Sequence, residues 1–322
     1  MLWSGKYGVL QNCNFINNAA SDGGSVGWYG TNGTLTNCNF INNTAKTLGG
    51  AVFWGGSNGI LTDSSFSDNS ADFGGGIYWN GANGVLIGST FTGNFANTYG
   101  GGIQWQTANG ILSDSTFINN KAPYGGGVLW NNANGTLTSS SFINNSASYA
   151  AGVWWAGTNG ILTSSSFINN SASYGGGVQW RGTNGTLTDS TFNSNTAIGN
   201  GGGIYWQGTN CTLSNSYFIN NSAAYGGAVY WNKGGLMVGC SFNNKWIKSN
   251  GIYINDTLNI KNGIGIVDIY NNGTILGISI VILNNETYYY PPNTNINLPN
   301  KTRIDQIKLT NYKINQQFFN EQ

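Results

Sequence analysis

The chain has 322 residues, of which 50 are Gly and 52 are Asn, and only 7% are charged, against about 25% in an ordinary soluble domain. It contains no His, which excludes imidazole bases, Ser-His-Asp or Cys-His catalysis and His-ligated metals. The net charge of +1 provides no basic patch for phosphate backbones or anionic lipid, so we predict no nucleic-acid partner.

A repeat of about 25 residues organises most of the chain. Aromatic residues make up 14% of the sequence and include 12 Trp, which is too much apolar surface for a chain that stays unfolded. Each repeat runs from a Trp to a Leu seven residues later and then to a Phe. The Trp column extends from Trp3 to Trp231, the Leu column from Leu10 to Leu213 and the Phe column from Phe15 to Phe242.

The segments around these columns have the pattern of short strands. Leu-Thr-x-Ser-x-Phe and Gly-Val-x-Trp carry apolar residues at every second position, which predicts strands, and Asn-Gly pairs such as Asn58-Gly59 predict turns. Two or three strands per repeat, without a helical stretch, predict an all-β fold over residues 1–242, a parallel β-helix whose coils stack about 4.8 Å apart. Inward Leu, Phe, Trp and Val or Ile then form columns of like side chains.

Polar residues mark the corners of the predicted coil. An Asn follows each Phe from Phe15 to Phe218 by three residues, and we predict that this column turns inward and forms a hydrogen-bonded ladder. Ala and Gly clusters follow, and they fit corners that are too tight for bulk or that need positive φ. The predicted ladder consists of Asn18, Asn43, Asn69, Asn94, Asn120, Asn145, Asn170, Asn195 and Asn221.

The four Cys show no Cys-x-x-Cys spacing of a zinc or redox site. Cys13, Cys38 and Cys240 occupy a column otherwise held by Ser, and we interpret them as small buried thiols that replace a hydroxyl. A disulfide between Cys13 and Cys38, on adjacent coils, is the alternative. We predict no metal site and no cofactor.

The repeat ends near Phe242, and charges become denser beyond it. We predict that residues 243–322 form a small β-rich C-terminal region, an incomplete sandwich or a cap over the open end, with a loose tail after 293.

The first residues lack the basic start and apolar stretch of a secretory signal, and the longest apolar run, 277–283, is too short to cross a bilayer. We expect no membrane insertion by this segment and expect it to be part of a longer protein.

Two motifs that recur together carry a resemblance. Phe-x-x-Asn followed by Gly-Gly-Ala-Val, as in residues 40–43 and 49–52, resembles the repeats of chlamydial polymorphic outer-membrane proteins. The Asn-rich, low-charge background is similar to the adhesin-like proteins of methanogenic archaea, which carry right-handed β-helix repeats. Over residues 1–242, this resemblance implies a right-handed solenoid, an extracellular or cell-surface location and the role of a stalk or adhesin, with no catalytic residues.

A binding surface must come from outward-facing columns. The residue between the inward Val or Ile and Trp faces outward, and its column includes Phe53, Tyr78, Trp154, Tyr205 and Tyr230. We predict a non-catalytic adhesin or structural stalk whose outer aromatic stripe binds a glycan or a protein on another surface. The alternative is that these side chains only cover the sheet or a neighbouring loop.

Two other functions are alternatives to adhesion, namely cleavage of a polysaccharide and binding to ice or a mineral. A polysaccharide lyase or hydrolase needs two carboxylates about 5–9.5 Å apart for hydrolysis, whereas Asp63, Asp114 and Asp189 stand two and three coils apart, roughly 10 and 14 Å. We therefore predict that the protein is not an enzyme. An ice- or mineral-binding solenoid would use Thr pairs such as Thr136 and Thr138, but Ile111 interrupts this column and Thr is an ordinary strand former.

Overall fold

The fold is described by a computed structural model that covers residues 1–243 and, beyond them, the backbone of eight strands between 252 and 307; side chains are described for residues 1–242. The described chain winds into a right-handed β-solenoid of about ten coils, each about 25 residues long. This confirms the predicted all-β parallel β-helix. None of the described residues forms a helix that could span a membrane.

Each coil has four sides, and the equivalent sides of successive coils pair in parallel into four sheets. We name them the Trp, Leu, Phe and Ala sheets after the inward side chain, in the order in which the chain passes through them. The sequence predicts only two or three strands per coil. The Ala side is missed because Ala is its single inward residue, and one small residue gives no period-two apolar signal.

The Trp sheet consists of Leu2–Trp3, Val26–Trp28, Val52–Trp54, Ile77–Trp79, Ile103–Trp105, Val128–Trp130, Val153–Trp155, Val178–Trp180, Ile204–Trp206, Val229–Trp231, Ile252–Ile254, Val267–Asn271 and Thr302–Ile304. The Leu sheet consists of Val9–Gln11, Thr34–Thr36, Ile60–Thr62, Val85–Ile87, Ile111–Ser113, Thr136–Thr138, Ile161–Thr163, Thr186–Thr188, Cys211–Ser214, Gly235–Val238, Thr257–Lys261 and Thr274–Leu276. The Phe sheet consists of Asn14–Ile16, Asn39–Ile41, Ser65–Ser67, Thr90–Thr92, Thr116–Ile118, Ser141–Ile143, Ser166–Ile168, Thr191–Asn193, Tyr217–Ile219 and Ser241–Asn243. The Ala sheet consists of Ala19–Asp22, Thr44–Leu48, Ser70–Phe73, Phe95–Tyr99, Lys121–Tyr124, Ser146–Tyr149, Ser171–Tyr174 and Thr196–Ala197.

Parallel pairing continues past residue 242 in two sheets. Ile252–Ile254 and Val267–Asn271 extend the Trp sheet, and two further strands extend the Leu sheet. Thr302–Ile304 then pairs antiparallel with the Trp sheet, and Ile280–Leu283 forms a small antiparallel sheet with Glu286–Tyr289 and Gln306–Ile307. The division at 242 and the sandwich or cap stay predictions, and most of the predicted tail lies outside the described residues.

The interior is built from stacks of identical side chains. The rings of Trp54 and Trp79 lie 4.7 Å apart with planes 2° from parallel, and those of Phe40 and Phe66 lie 4.7 Å apart at 6°. The Trp rings from Trp28 to Trp231 and the central Phe rings are fully buried. Because each ring covers the next, no coil completes its core alone, and stability depends on neighbouring coils.

One residue at each corner adopts a left-handed backbone conformation. In one coil these residues are Asn58, Asp63, Asp68 and Gly74, with φ between 50° and 65°. Asn, Asp and Gly tolerate this region because they avoid or offset the clash of a Cβ with the carbonyl oxygen. Gly59, which follows Asn58, has a second reason to be glycine, since a Cβ there would overlap the indole of Trp54.

The predicted Asn column forms a continuous internal ladder. The Oδ1 of Asn145 accepts hydrogen bonds from the backbone N–H and the Nδ2 of Asn120, at 2.9 and 3.0 Å. Its Nδ2 donates to the carbonyl of Phe117 at 2.9 Å and to Oδ1 of Asn170 at 3.0 Å. The ladder is buried from Asn43 to Asn221, whereas its first member, Asn18, is exposed.

The Ser and Cys column forms a second ladder. The hydroxyl of Ser140 accepts the backbone N–H of Ser115 at 3.2 Å and donates to the carbonyl of Thr138 at 2.8 Å. A thiol takes the same place at Cys38, whose sulfur accepts the N–H of Cys13 at 3.4 Å. All four cysteines are free thiols in the structure, which does not contain the alternative disulfide. Cys38 and Cys240 are buried as interpreted, whereas Cys13 is partly exposed.

A third ladder lies on the surface, at the corner between the Trp and Leu sheets. Each Asn amide donates from Nδ2 to the Oδ1 of the previous coil at 3.0–3.1 Å, as Asn134 does to Asn109. These exposed corner residues are Asn32, Asn58, Asn83, Asn109, Asn134, Asn159 and Asn184. Each is followed by the glycine that makes room for the Trp ring. The sequence indicates a turn here but not a ladder.

Replacing Asn145 with Leu should lower the free energy of unfolding by about 3 kcal/mol, because Asn120 and Phe117 lose buried hydrogen-bond partners. The matched control is Asn18→Leu, in the same column but open to water, which should change stability by less than about 1 kcal/mol. Chemical denaturation monitored by circular dichroism measures both. Equal effects would show that burial of the ladder does not stabilise the coil.

Alkylation at neutral pH should modify Cys13 well before the other cysteines. Cys13 is partly exposed, whereas burial raises the pKa of Cys38 and Cys211 and raises the pKa of Cys240 to about 12. Only thiolates react at an appreciable rate, so these three should react only after unfolding. Mass spectrometry of the native and denatured protein tests this. A native protein that shows no reactive thiol until a reductant is added would instead support the Cys13–Cys38 disulfide.

Candidate binding groove

The predicted aromatic stripe forms a single column on the outer face of the Trp sheet. Strand register places equivalent residues of successive coils side by side. We call this the outer column, and it consists of Gly27, Phe53, Tyr78, Gln104, Leu129, Trp154, Gln179, Tyr205 and Tyr230.

A second column of large side chains leans over the first. It stands at the end of the Ala-sheet strands, just before the left-handed corner residue, which is glycine in every case except Ala150. We call it the cover column. Its Tyr124 ring lies 4.9 Å from the ring of Trp154 at 72°, and Tyr149 lies 5.8 Å from it at 68°. The cover column consists of Leu48, Phe73, Tyr99, Tyr124, Tyr149 and Tyr174.

The cover column changes the accessibility of the predicted stripe. Phe53 and Trp154 are buried, at 8% and 9% exposure, and Tyr78, Tyr205 and Tyr230 are half-buried. The cover column therefore shields part of the outer column, and a ligand could not stack on every ring of the outer column. Sequence reasoning missed the cover column, although Tyr or Phe directly before the glycine corner, as in Tyr99-Gly100, is its signal.

A groove of about 500 Å³ lies between the two columns and crosses several coils. Its walls combine aromatic rings with amides and one guanidinium. The lining residues are Leu48, Phe73, Tyr78, Tyr99, Gln104, Gln106, Tyr124, Leu129, Asn131, Trp154, Ala156 and Arg181. Of the predicted site residues, Tyr78 and Trp154 contribute to the groove, whereas Phe53, Tyr205 and Tyr230 do not.

Amide groups supply the polar part of the groove. Gln104 is only 2% exposed, and its Oε1 has no hydrogen-bond partner. An unpaired buried acceptor costs about 1–3 kcal/mol, so a ligand that donates a hydrogen bond to Oε1, once the amide turns toward the groove, would recover that cost. At the rim, Asn131 Nδ2 donates to Gln106 Oε1 at 2.7 Å. Burial raises the pKa of Tyr78, and a hydrogen bond from Gln106 partly opposes this increase.

Arg181 lies at one end of the groove. Its guanidinium carbon lies 5.4 Å from the ring centroid of Trp154, which is a cation–π contact. Among residues 1–242, Arg181 forms no ion pair and its side chain makes no hydrogen bond. Its nitrogen donors are therefore available to a ligand.

The recurrent Asp residues of the repeats lie away from the groove. Asp63, Asp114 and Asp189 occupy left-handed positions at the corner between the Leu and Phe sheets, with φ of 50°, 51° and 51°. The groove lining contains neither Asp nor Glu. The described part of the chain also contains no cluster of three or more His, Cys, Asp or Glu that could hold a metal ion.

The outer face of the Leu sheet, considered for ice or mineral binding, is chemically mixed. Thr136 and Thr138 are half-buried on either side of the inward Leu137. The exposed side chains Ile111 and Ile161, at 42% and 44% exposure, interrupt the Thr column. The face is therefore not a uniform Thr array.

Comparisons with known proteins find matches to two family profiles. The profile described as "Right handed beta helix region" matches residues 1–171, more than half of the chain. The profile of the Chlamydia polymorphic membrane protein repeat matches residues 189–205. This second match contains Phe192, Asn195 and Gly201, the spacing on which the resemblance in the sequence depends. No curated protein and no solved structure matches the chain significantly.

Replacing Trp154 with Ala should destabilise the protein by about 2–4 kcal/mol, because the ring packs against Tyr124 and Tyr149 and leaves a cavity when removed. The control Ile161→Ala, on the exposed face of the Leu sheet, should change stability by about 0.5 kcal/mol or less. Denaturant midpoints measure the difference. If the two variants are equally stable, the outer column is not covered as the structure shows.

Proposed function

Because the chain belongs to the right-handed β-helix family, we propose that it is a non-catalytic, adhesin-like protein that presents a groove along the side of its solenoid to a glycan or a protein. The groove between the outer and cover columns is its binding site. The match to a repeat of chlamydial membrane proteins supports a place at the cell surface.

The observation that carries this proposal is the chemistry of the groove lining. Tyr78, Tyr99 and Tyr124 offer half-buried rings and hydroxyls, and Gln104 offers an unpaired buried acceptor. Concave sites that combine aromatic walls with a few placed polar groups are typical of ligand binding. Since the lining has no carboxylate, it lacks the acid pair that glycoside hydrolysis requires.

The geometry of a solenoid also favours adhesion over tight binding by one site. Stacking on an exposed ring contributes about 1 kcal/mol by analogy with aromatic pairs, so each groove binds weakly. Many copies on one surface raise the overall avidity by a factor of about 10² or more. The alternatives have less support, because the recurrent Asp residues lie at another corner and Ile side chains interrupt the Thr face.

Binding to a glycan and matrix-protein array should depend on the groove. The variant Tyr78→Ser, Tyr99→Ser, Tyr124→Ser should weaken binding by about 100-fold, as expected for three rings at about 1 kcal/mol each. The matched control replaces three half-buried residues on the outer face of the Phe sheet, Ile118, Ile143 and Ile168, with Ser. It should bind like the unmodified protein.

Circular dichroism must show that both variants are folded before they are compared. Equal binding by the groove variant and the unmodified protein would remove the groove as the binding site. Saturable cleavage of any polysaccharide on the array would contradict the non-catalytic proposal.

A further inference from the structure

Two polar side chains of the groove, Gln104 and Arg181, define its ligand more narrowly. We infer that the groove binds an extended oligosaccharide of about three or four sugars or more that carries an anionic substituent, with the anion at Arg181 and a sugar hydroxyl at Gln104. The inference rests on the proposed function of the groove. To that function it adds the charge of the ligand, its length and the end of the groove at which the charge lies.

The anionic substituent follows from Arg181. Its guanidinium presents donors in a planar fork that matches a carboxylate, sulfate or phosphate. The Trp154 ring holds it at 5.4 Å, and no residue from 1 to 242 forms an ion pair with it. Because the lining contains no Asp or Glu and no other Lys or Arg, this end of the groove is complementary to a single negative charge.

The sugar hydroxyl follows from Gln104. Its side chain is 98% buried in the groove wall, and its unpaired Oε1 accepts a hydrogen bond but cannot give one. An ionised anion also only accepts, so an anion alone cannot satisfy this atom. The ligand must therefore carry a donor in addition to its charge, and a sugar hydroxyl is such a donor.

The length follows from the coil spacing. Gln104 and Arg181 belong to coils that are three steps apart, since Trp105, Trp130, Trp155 and Trp180 follow one another in the Trp sheet. At about 4.8 Å per coil, their backbone positions are separated by roughly 14 Å. The guanidinium contacts Trp154, which is two coils or roughly 10 Å from Gln104. A pyranose in an extended chain adds a length similar to one coil, so a chain that reaches both side chains has about three or four sugars.

A sugar chain fits this face better than a peptide does. Peptides gain affinity and register when their backbone pairs with the edge of a sheet. Here the sheet presents its face, and its backbone groups pair with the coils on either side, as Gln106 N–H does with the carbonyl of Trp79. Aromatic walls and amides instead suit the faces and hydroxyls of sugar rings.

The test uses four probes with the full chain, measured by isothermal titration calorimetry. They are a neutral β-1,4-linked glucose hexamer, the same hexamer oxidised to a carboxylate at C6 of one terminal sugar, the same hexamer sulfated there, and a disaccharide with the carboxylate. One of the anionic hexamers should bind at least about tenfold more tightly than the neutral hexamer, as expected for a charge-assisted hydrogen bond. The disaccharide should bind at least about tenfold more weakly than the corresponding hexamer.

Three variants complete the test. Arg181→Gln should abolish the preference for the anionic hexamer, so that the neutral and anionic hexamers bind this variant with similar affinity. The matched control Lys121→Gln removes the same charge from an exposed position on the Ala sheet and should keep the preference. Gln104→Leu should weaken binding of the neutral and anionic hexamers by a similar factor, since the lost acceptor serves a hydroxyl in both.

Two kinds of failure are distinguishable. If the neutral and anionic hexamers bind equally, if the preference survives Arg181→Gln, or if the disaccharide binds as tightly as the hexamer, this inference is wrong. The proposed function then still stands, provided that the triple Tyr variant loses binding. If an acidic peptide binds in an Arg181-dependent manner and no oligosaccharide binds, the sugar assignment is wrong while the groove remains the site.

Discussion

Hydrogen bonding of each coil to the next is the constraint from which the other features follow. Parallel pairing fixes the coil spacing near 4.8 Å, and the ring spacing of 4.7 Å between Trp54 and Trp79 reproduces it. At that spacing a side chain contacts its own equivalents above and below. Apolar columns therefore become stacks, and a buried amide such as Asn145 is satisfied only when its neighbours are also amides. Columns of identical residues therefore fill such an interior with the fewest lost contacts and unpaired polar groups.

This constraint explains which features the sequence could predict. The inward Trp, Leu and Phe residues and the buried Asn repeat almost without exception, because any change breaks two contacts at once. Their spacing was sufficient to predict the solenoid and the internal ladder. The Ala side was missed because Ala71 and its equivalents are small, and its strands are irregular near Phe73, where the pairing register shifts. Such a bulge interrupts the alternation of apolar and polar residues along the strand.

The groove is harder to predict for the opposite reason. Outward positions are free to vary, so Gln104, Leu129 and Trp154 succeed one another in a column that carries no repeated chemistry. Sequence alone identified the column and its outward direction. It could not show that Tyr124 and Tyr149 lean across from another sheet, because that contact depends on the angle of the glycine corner. The candidate site thus lies where the residues of successive repeats differ from one another.

The surface ladder of corner Asn residues has a chemical consequence over time. In flexible chains, Asn followed by Gly loses ammonia readily, because the unhindered glycine nitrogen reaches the side-chain carbonyl and closes a succinimide ring. Here glycine cannot be replaced, since Gly59 makes room for the indole of Trp54. Hydrogen bonds from both neighbouring coils hold the Asn58 amide, and ring closure must first break them. The fold therefore requires an Asn-Gly pair in seven coils, and the same ladder slows the loss of ammonia from these Asn residues. The Asn residues at the two ends of the ladder should lose ammonia before the central ones.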